Sequence, residues 1–100
     1  MKITQHLLIS GRVQGVSFRF YTQGCANRMN ITGWVRNLSD GRVEAVAQGL
    51  PEKLEELRKL LMAGPNGADV RGIEVHAIAH KEDMKEFKIN ENGEKPCLKK

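Results

Sequence analysis

The 100-residue chain lacks any apolar run near the length of about 18 residues that crosses a bilayer, so no helical membrane span is expected. Its first twelve residues, MKITQHLLISGR, hold one lysine, a short apolar stretch and no small-residue cleavage site. That is too little for a secretory signal, and a cytoplasmic location is the expectation. Cysteine is scarce: Cys25 and Cys97 lie far apart with no CxxC pattern, which argues against a disulfide scaffold and leaves two free thiols. His6, His76 and His80 are too scattered to read as a metal site, and no metal or organic cofactor is expected. With no repeats, low-complexity tracts or linker, the chain reads as one domain of common size.

Aromatic residues make up only 5% of the chain, which bears on nucleic acid. An RNA-recognition sheet needs exposed rings on its central strands for base stacking. The first strand offers Leu7, Leu8 and Ile9 instead, and the third offers Val43, Ala45, Val46 and Ala47. The formal net charge of +4 favours anionic partners mildly. The basic residues are dispersed, and Lys99 and Lys100 contribute part of the excess, so small anions fit better than a nucleic-acid groove.

Gln5 to Ser10 alternates loosely and reads as a strand ended by Gly11. From Phe18 to Met29 the period becomes helical, with Phe18, Thr22, Cys25, Ala26 and Met29 on one stripe. Gly24 within that helix costs about 1 kcal/mol relative to Ala. Thr32–Asn37 and Arg42–Gln48 read as strands joined by Leu38-Ser39-Asp40-Gly41, where Asp-Gly is a strong hairpin signal. Leu50–Met62 is an amphipathic helix with Leu50, Leu54, Leu57 and Leu61 on its core stripe, Pro51 in its first turn and Gly64-Pro65 as its stop. Residues 64–71 read as a loop, Ile73 to Ala79 as a fourth strand, and Phe87 with Ile89 as a short fifth. The expected fold is α+β, a ferredoxin-like split βαβ (βαββαβ) sandwich with two helices on one face of an antiparallel sheet. Residues 91–100 form a polar tail expected to fray.

Two segments carry chemistry. Residues 11–19, GRVQGVSFR, form a glycine-bracketed loop that leads from the first strand into the first helix and ends in Arg19. A helix start presents unpaired N–H donors and a positive dipole end, which suits a phosphate. Gly11 and Gly15 permit a close approach to the main chain. Arg19, in the first turn, can fork onto two phosphate oxygens as lysine cannot. Taken alone, such a loop is also an ordinary βα connection with a solvated arginine. The second segment, GWVRNLSDGRVEAVAQG at 33–49, ends its first strand on Asn37, level with that loop in a split βαβ unit. An amide there can donate to phosphate and accept from water, though Asn also simply favours the start of a turn. Arg36 and Arg42 read as solvated strand arginines, and Trp34 as a packing residue.

These two segments, with GPNGADVRGIEV at 64–75 and FKI at 87–89, resemble the acylphosphatase family in the correct order over almost the whole chain. Arg19 and Asn37 also keep that family's separation, 37 − 19 = 18 positions. The resemblance implies hydrolysis of acyl phosphates to carboxylate and inorganic phosphate, without metal or organic cofactor. It assigns residues 1–90 to the family's domain, phosphate binding to Arg19, and water positioning to Asn37. It assigns the phosphate cradle to the main-chain amides of Gly15, Val16, Ser17 and Phe18. The expected partner is a small-molecule acyl phosphate, with no nucleic acid or membrane partner, and a monomeric chain. The alternative is a non-catalytic module that holds phosphate or another small anion on the same fold. Unlike relatives that stop soon after the last strand, this chain runs about ten residues further.

Overall fold

Alternation along β1 (Ile3–Arg12) sorts its side chains between two faces: Leu7 and Ile9 enter the main core, while Thr4, His6 and Leu8 lie on the opposite face. The computed structural model describes residues 1–79 and 83–96. The chain continues through α1 (Phe18–Arg28), β2 (Thr32–Asn37), β3 (Val43–Gly49), α2 (Pro51–Ala63), β4 (Asp69–Ile78) and β5 (Phe87–Ile89). The main core unites Leu7, Ile9, Val35, Val43, Ala45 and Ala47 of the sheet with Phe18, Cys25, Ala26, Leu54, Leu57 and Leu61 of the helices.

The strands are ordered β4-β1-β3-β2-β5, and the ferredoxin-like α+β arrangement holds. The pairs β1/β3, β1/β4 and β2/β3 are antiparallel. The sheet is nonetheless mixed, because β5 pairs parallel with β2. The cause is directional: β4 runs opposite to β2, so a chain that leaves β4 and turns once must travel along β2 in the same sense.

Several local expectations change. β1 does not stop at Gly11; it continues to Arg12 through a register shift at Ser10/Gly11. Gly11, at φ 120°, lies against the backbone of Asp69 and Arg71, where any Cβ would collide. It therefore serves strand pairing, not the loop. The segment expected as a loop over 64–71 is shorter, since β4 begins at Asp69. Leu50 leaves the leucine stripe: it is the extended residue before α2 and is exposed. Gly24 has open space beyond it, so no close helix–sheet contact accounts for it.

The hairpin forms as its Asp-Gly turn requires. Leu38 N–H donates to the Arg42 carbonyl at 2.8 Å, Gly41 adopts φ 96°, and the Asp40 carboxylate accepts from Arg42 N–H at 3.0 Å. The tail is not frayed over its described part, because Gly93 pairs with Leu38 beside the end of β2. His80 and Cys97 lie outside the described residues. Among the described residues, no helix is long and apolar enough to cross a membrane.

Candidate active site

After β1, Val13 turns into the core and fixes the start of the loop. Gly15 then adopts φ 75° and Ser17 φ 60°. Left-handed residues interspersed in a short run build the concave main-chain surface that binds anions. Ser17 is also the N-cap of α1, yet its hydroxyl makes no capping bond, and the first turn carries no acidic residue. The first helical bond runs from Tyr21 N–H to the Ser17 carbonyl at 3.0 Å. Among the described residues, none accepts from the N–H groups of residues 15–20. An uncapped N-terminus with its dipole uncompensated is a cradle for negative charge.

Side chains complete the site. Phe18 is buried in the core and pins the helix start, while the Val16 side chain packs against the core beside Gly67. Arg19 is half-buried and has no carboxylate partner among the described residues. Asn37 ends β2 opposite Val43, and its Oδ1 is buried with no hydrogen-bond partner. Gln14, Gly15, Ser17, Phe18, Arg19 and Asn37 line one cleft of about 170 Å³. The structure thus brings together Arg19, Asn37 and the loop residues singled out by the sequence, with Val16 off the cleft wall.

Gln14 escaped the sequence reading. Its Nε2 donates to the carbonyls of Leu38 at 2.8 Å and Arg42 at 2.9 Å, tying the loop to the hairpin that carries Asn37. Its place between the motif's two glycines was the available signal. The hairpin arginines are partly exposed but paired. Arg36 Nε donates to Glu44 Oε1 at 2.6 Å and the guanidinium lies 5.3 Å from the Trp34 ring. Arg42 pairs with Asp40 at 2.7 Å. His6, buried, meets Glu44 Oε2 at 2.7 Å from the other side. His6 and His76 are register partners, but no group of three His, Cys, Asp or Glu among the described residues could hold a metal ion.

The acylphosphatase family model matches residues 5–89. The chain belongs to the acylphosphatase family. It is 51% identical over 74 residues to an acylphosphatase of Chloroflexus aurantiacus, covering 74% of this chain and 80% of that protein. The solved acylphosphatase of Coxiella burnetii superposes with a TM-score of 0.84 at 37% identity, covering 89% of this chain and 93% of the other. That of Bacillus subtilis gives 0.85 at 33% identity, covering 90% and 99%. The cleft wall carries one guanidinium, Arg19, and two side-chain amides, Gln14 and Asn37, with no carboxylate, imidazole or thiol.

Proposed function

We propose that this acylphosphatase hydrolyses acyl phosphates by holding the phosphoryl group in the residue 15–18 cradle under Arg19, while Asn37 orients the attacking water. The observation that carries the reading is the buried, unpartnered Oδ1 of Asn37 on the same cleft as Arg19 and the open start of α1. An acceptor left without a donor in a buried place is costly unless a ligand or water supplies one.

The chemistry is consistent with so sparse a site. Water attacks phosphorus, the P–O bond to the acyl group breaks, and the electron pair leaves on the carboxylate. A leaving group of pKa about 4–5 needs no general acid. Phosphoryl transfer asks chiefly for positioning and for charge stabilisation on the equatorial oxygens. Main-chain N–H groups and a guanidinium supply both. The Asn37 amide cannot take a proton at neutral pH, so the water gives up its proton late, to a phosphoryl oxygen. One chain builds the complete cleft, which supports a monomer. The buried free thiol of Cys25 supports a reducing, cytoplasmic setting.

The test is release of phosphate and benzoate from benzoyl phosphate in EDTA by the wild type, Arg19→Ala and Asn37→Ala. Losing a preorganised donor to a transition-state oxygen costs about 2.7–4 kcal/mol, about 100- to 1,000-fold in kcat/KM, and Arg19→Lys should recover little of it. Arg19→Ala within about threefold of wild type, where tenfold is about 1.4 kcal/mol, would remove Arg19 from the reaction. Normal turnover by Asn37→Ala would remove the water-positioning role. A wild type that binds phosphate without turnover would make the chain an anion-binding module.

A further inference from the structure

The family match ends at residue 89. Beyond that point the chain does not leave the sheet. After the parallel pairing of β5, in which Asn90 N–H donates to the Val35 carbonyl at 2.8 Å, it returns to the same edge two residues further along β2. Gly93 N–H donates to the Asn37 carbonyl at 2.9 Å, and Ser39 N–H donates to the Gly93 carbonyl at 2.9 Å. The Ser39 hydroxyl donates to the Glu94 carbonyl at 3.2 Å. Arg36 Nη2 donates to the Lys95 carbonyl at 3.2 Å.

We propose that Gly93–Lys95, just past the family match, is a positioning strap for Asn37 that holds the water-orienting amide at its station in the cleft. The inference rests on the reading of Asn37 given above. The side chain of Asn37 has no Oδ1 partner to fix it, so its placement depends on its backbone. On the inner side that backbone is paired to Val43 of β3. On the outer side the strap supplies the bonds, where an edge strand would otherwise face water. Productive geometry at such a site is held to about 0.5 Å, and a supporting shell commonly provides that tolerance.

The strap has its own foundation. A Cβ on Gly93 would stand 2.5 Å from Arg36 Cζ, so the glycine lies flat against the guanidinium. Arg36 is in turn anchored by Glu44, a fully buried carboxylate. The path runs from a buried anion on the back of the sheet, through Arg36 and the strap, to the backbone of Asn37. All four strap bonds use main-chain atoms of Gly93, Glu94 and Lys95, so the polar composition of the tail conceals them.

The experiment compares the full chain with one ending at Asn92 and with Gly93→Pro, which keeps the tail but removes the N–H to Asn37 and sets a Cβ against the Arg36 guanidinium. Each is made in the wild-type and Asn37→Ala backgrounds. The readouts are kcat on benzoyl phosphate and inhibition by inorganic phosphate, which reports on Arg19 and the cradle. Both changes should lower kcat by about tenfold and shift phosphate inhibition by less than about twofold. In the Asn37→Ala background the same changes should alter kcat by less than about twofold, because contributions routed through one group do not add. Wild-type kcat in either variant overturns the strap, as does an equal loss in the Asn37→Ala background or a parallel loss of phosphate binding. If the shortened chain does not fold, Gly93→Pro decides on the same criteria. Normal turnover by Asn37→Ala alone would instead overturn the reading of Asn37.

Discussion

Gln14 Nε2 donates to the main-chain carbonyl of Leu38 at 2.8 Å, so the loop before α1 and the hairpin carrying Asn37 are stapled together by one side chain. The same nitrogen reaches the Arg42 carbonyl at 2.9 Å, across the mouth of the hairpin. Gln14→Ala leaves both carbonyls without this donor and lets the two halves of the cleft drift. A neutral hydrogen bond contributes about 0.5–1.5 kcal/mol, while a misplacement of about 1 Å can cost about 100-fold in rate. The expected result is a drop in kcat/KM of about tenfold or more with a stability loss below about 3 kcal/mol, read by steady-state kinetics beside urea unfolding. A stability loss with unchanged kinetics would make Gln14 a fold residue only.

Gly15 sits at φ 75° with open space where a Cβ would go. Gly15→Ala therefore meets no collision, and its cost is the left-handed backbone alone, about 1–2 kcal/mol. Relaxation of that strain would flatten the cradle. The variant should remain folded, with a Tm lowered by several degrees, and lose affinity for phosphate in calorimetry.

Glu44 is wholly buried between His6 and Arg36, at 2.7 and 2.6 Å. Removing one member of a buried ionic cluster typically costs about 3–5 kcal/mol, because the remaining charge keeps its desolvation cost without compensation. Against a total stability of about 5–15 kcal/mol, Glu44→Ala should leave a marginal fold. Chemical denaturation of Glu44→Ala beside a Glu44→Leu/Arg36→Leu pair tests this. The double replacement should be the more stable of the two.

The Asp40 carboxyl is held below the ordinary value of 3.8, first by the side-chain hydrogen bond from Arg42 and then by Arg42 N–H. A depressed folded pKa adds stability above that ordinary value, and the addition is lost as pH falls through the folded value. Asp40 is solvent-exposed, so the effect on the hairpin is small. Tm measured from pH 6 down to pH 2 should fall less steeply for Asp40→Asn than for the wild type.

Periodicity made the helices legible. Leu54, Leu57 and Leu61 are buried as their spacing demands, whereas Leu50 lies one step before the helix, where the stripe no longer applies. Arg19 and Asn37 were legible because two short motifs carried them to adjacent ends of neighbouring elements. Glu44 and His6 were not, since alternation marks them as the solvent side of their strands. That side is covered instead: Met84 N–H donates to Gln48 Oε1 at 2.8 Å, and Arg36 lies over Trp34. Gln14 and Gly93 were hidden for another reason. Their partners are carbonyls and amides distant in sequence, which no residue-type pattern reports.

Among the described residues, the strand order β4-β1-β3-β2-β5 leaves β2 and β3 as the only sheet neighbours that also follow one another along the chain. Every other pairing must wait for a long loop to close, and non-local pairings of this kind slow folding towards the millisecond-to-second range, about the regime of β-rich domains. The hairpin bearing Asn37 can form early, but its outer edge is completed only after both helices and β4 have been traversed. The strand that carries Asn37 thus takes the pairing on its outer edge from the far end of the chain.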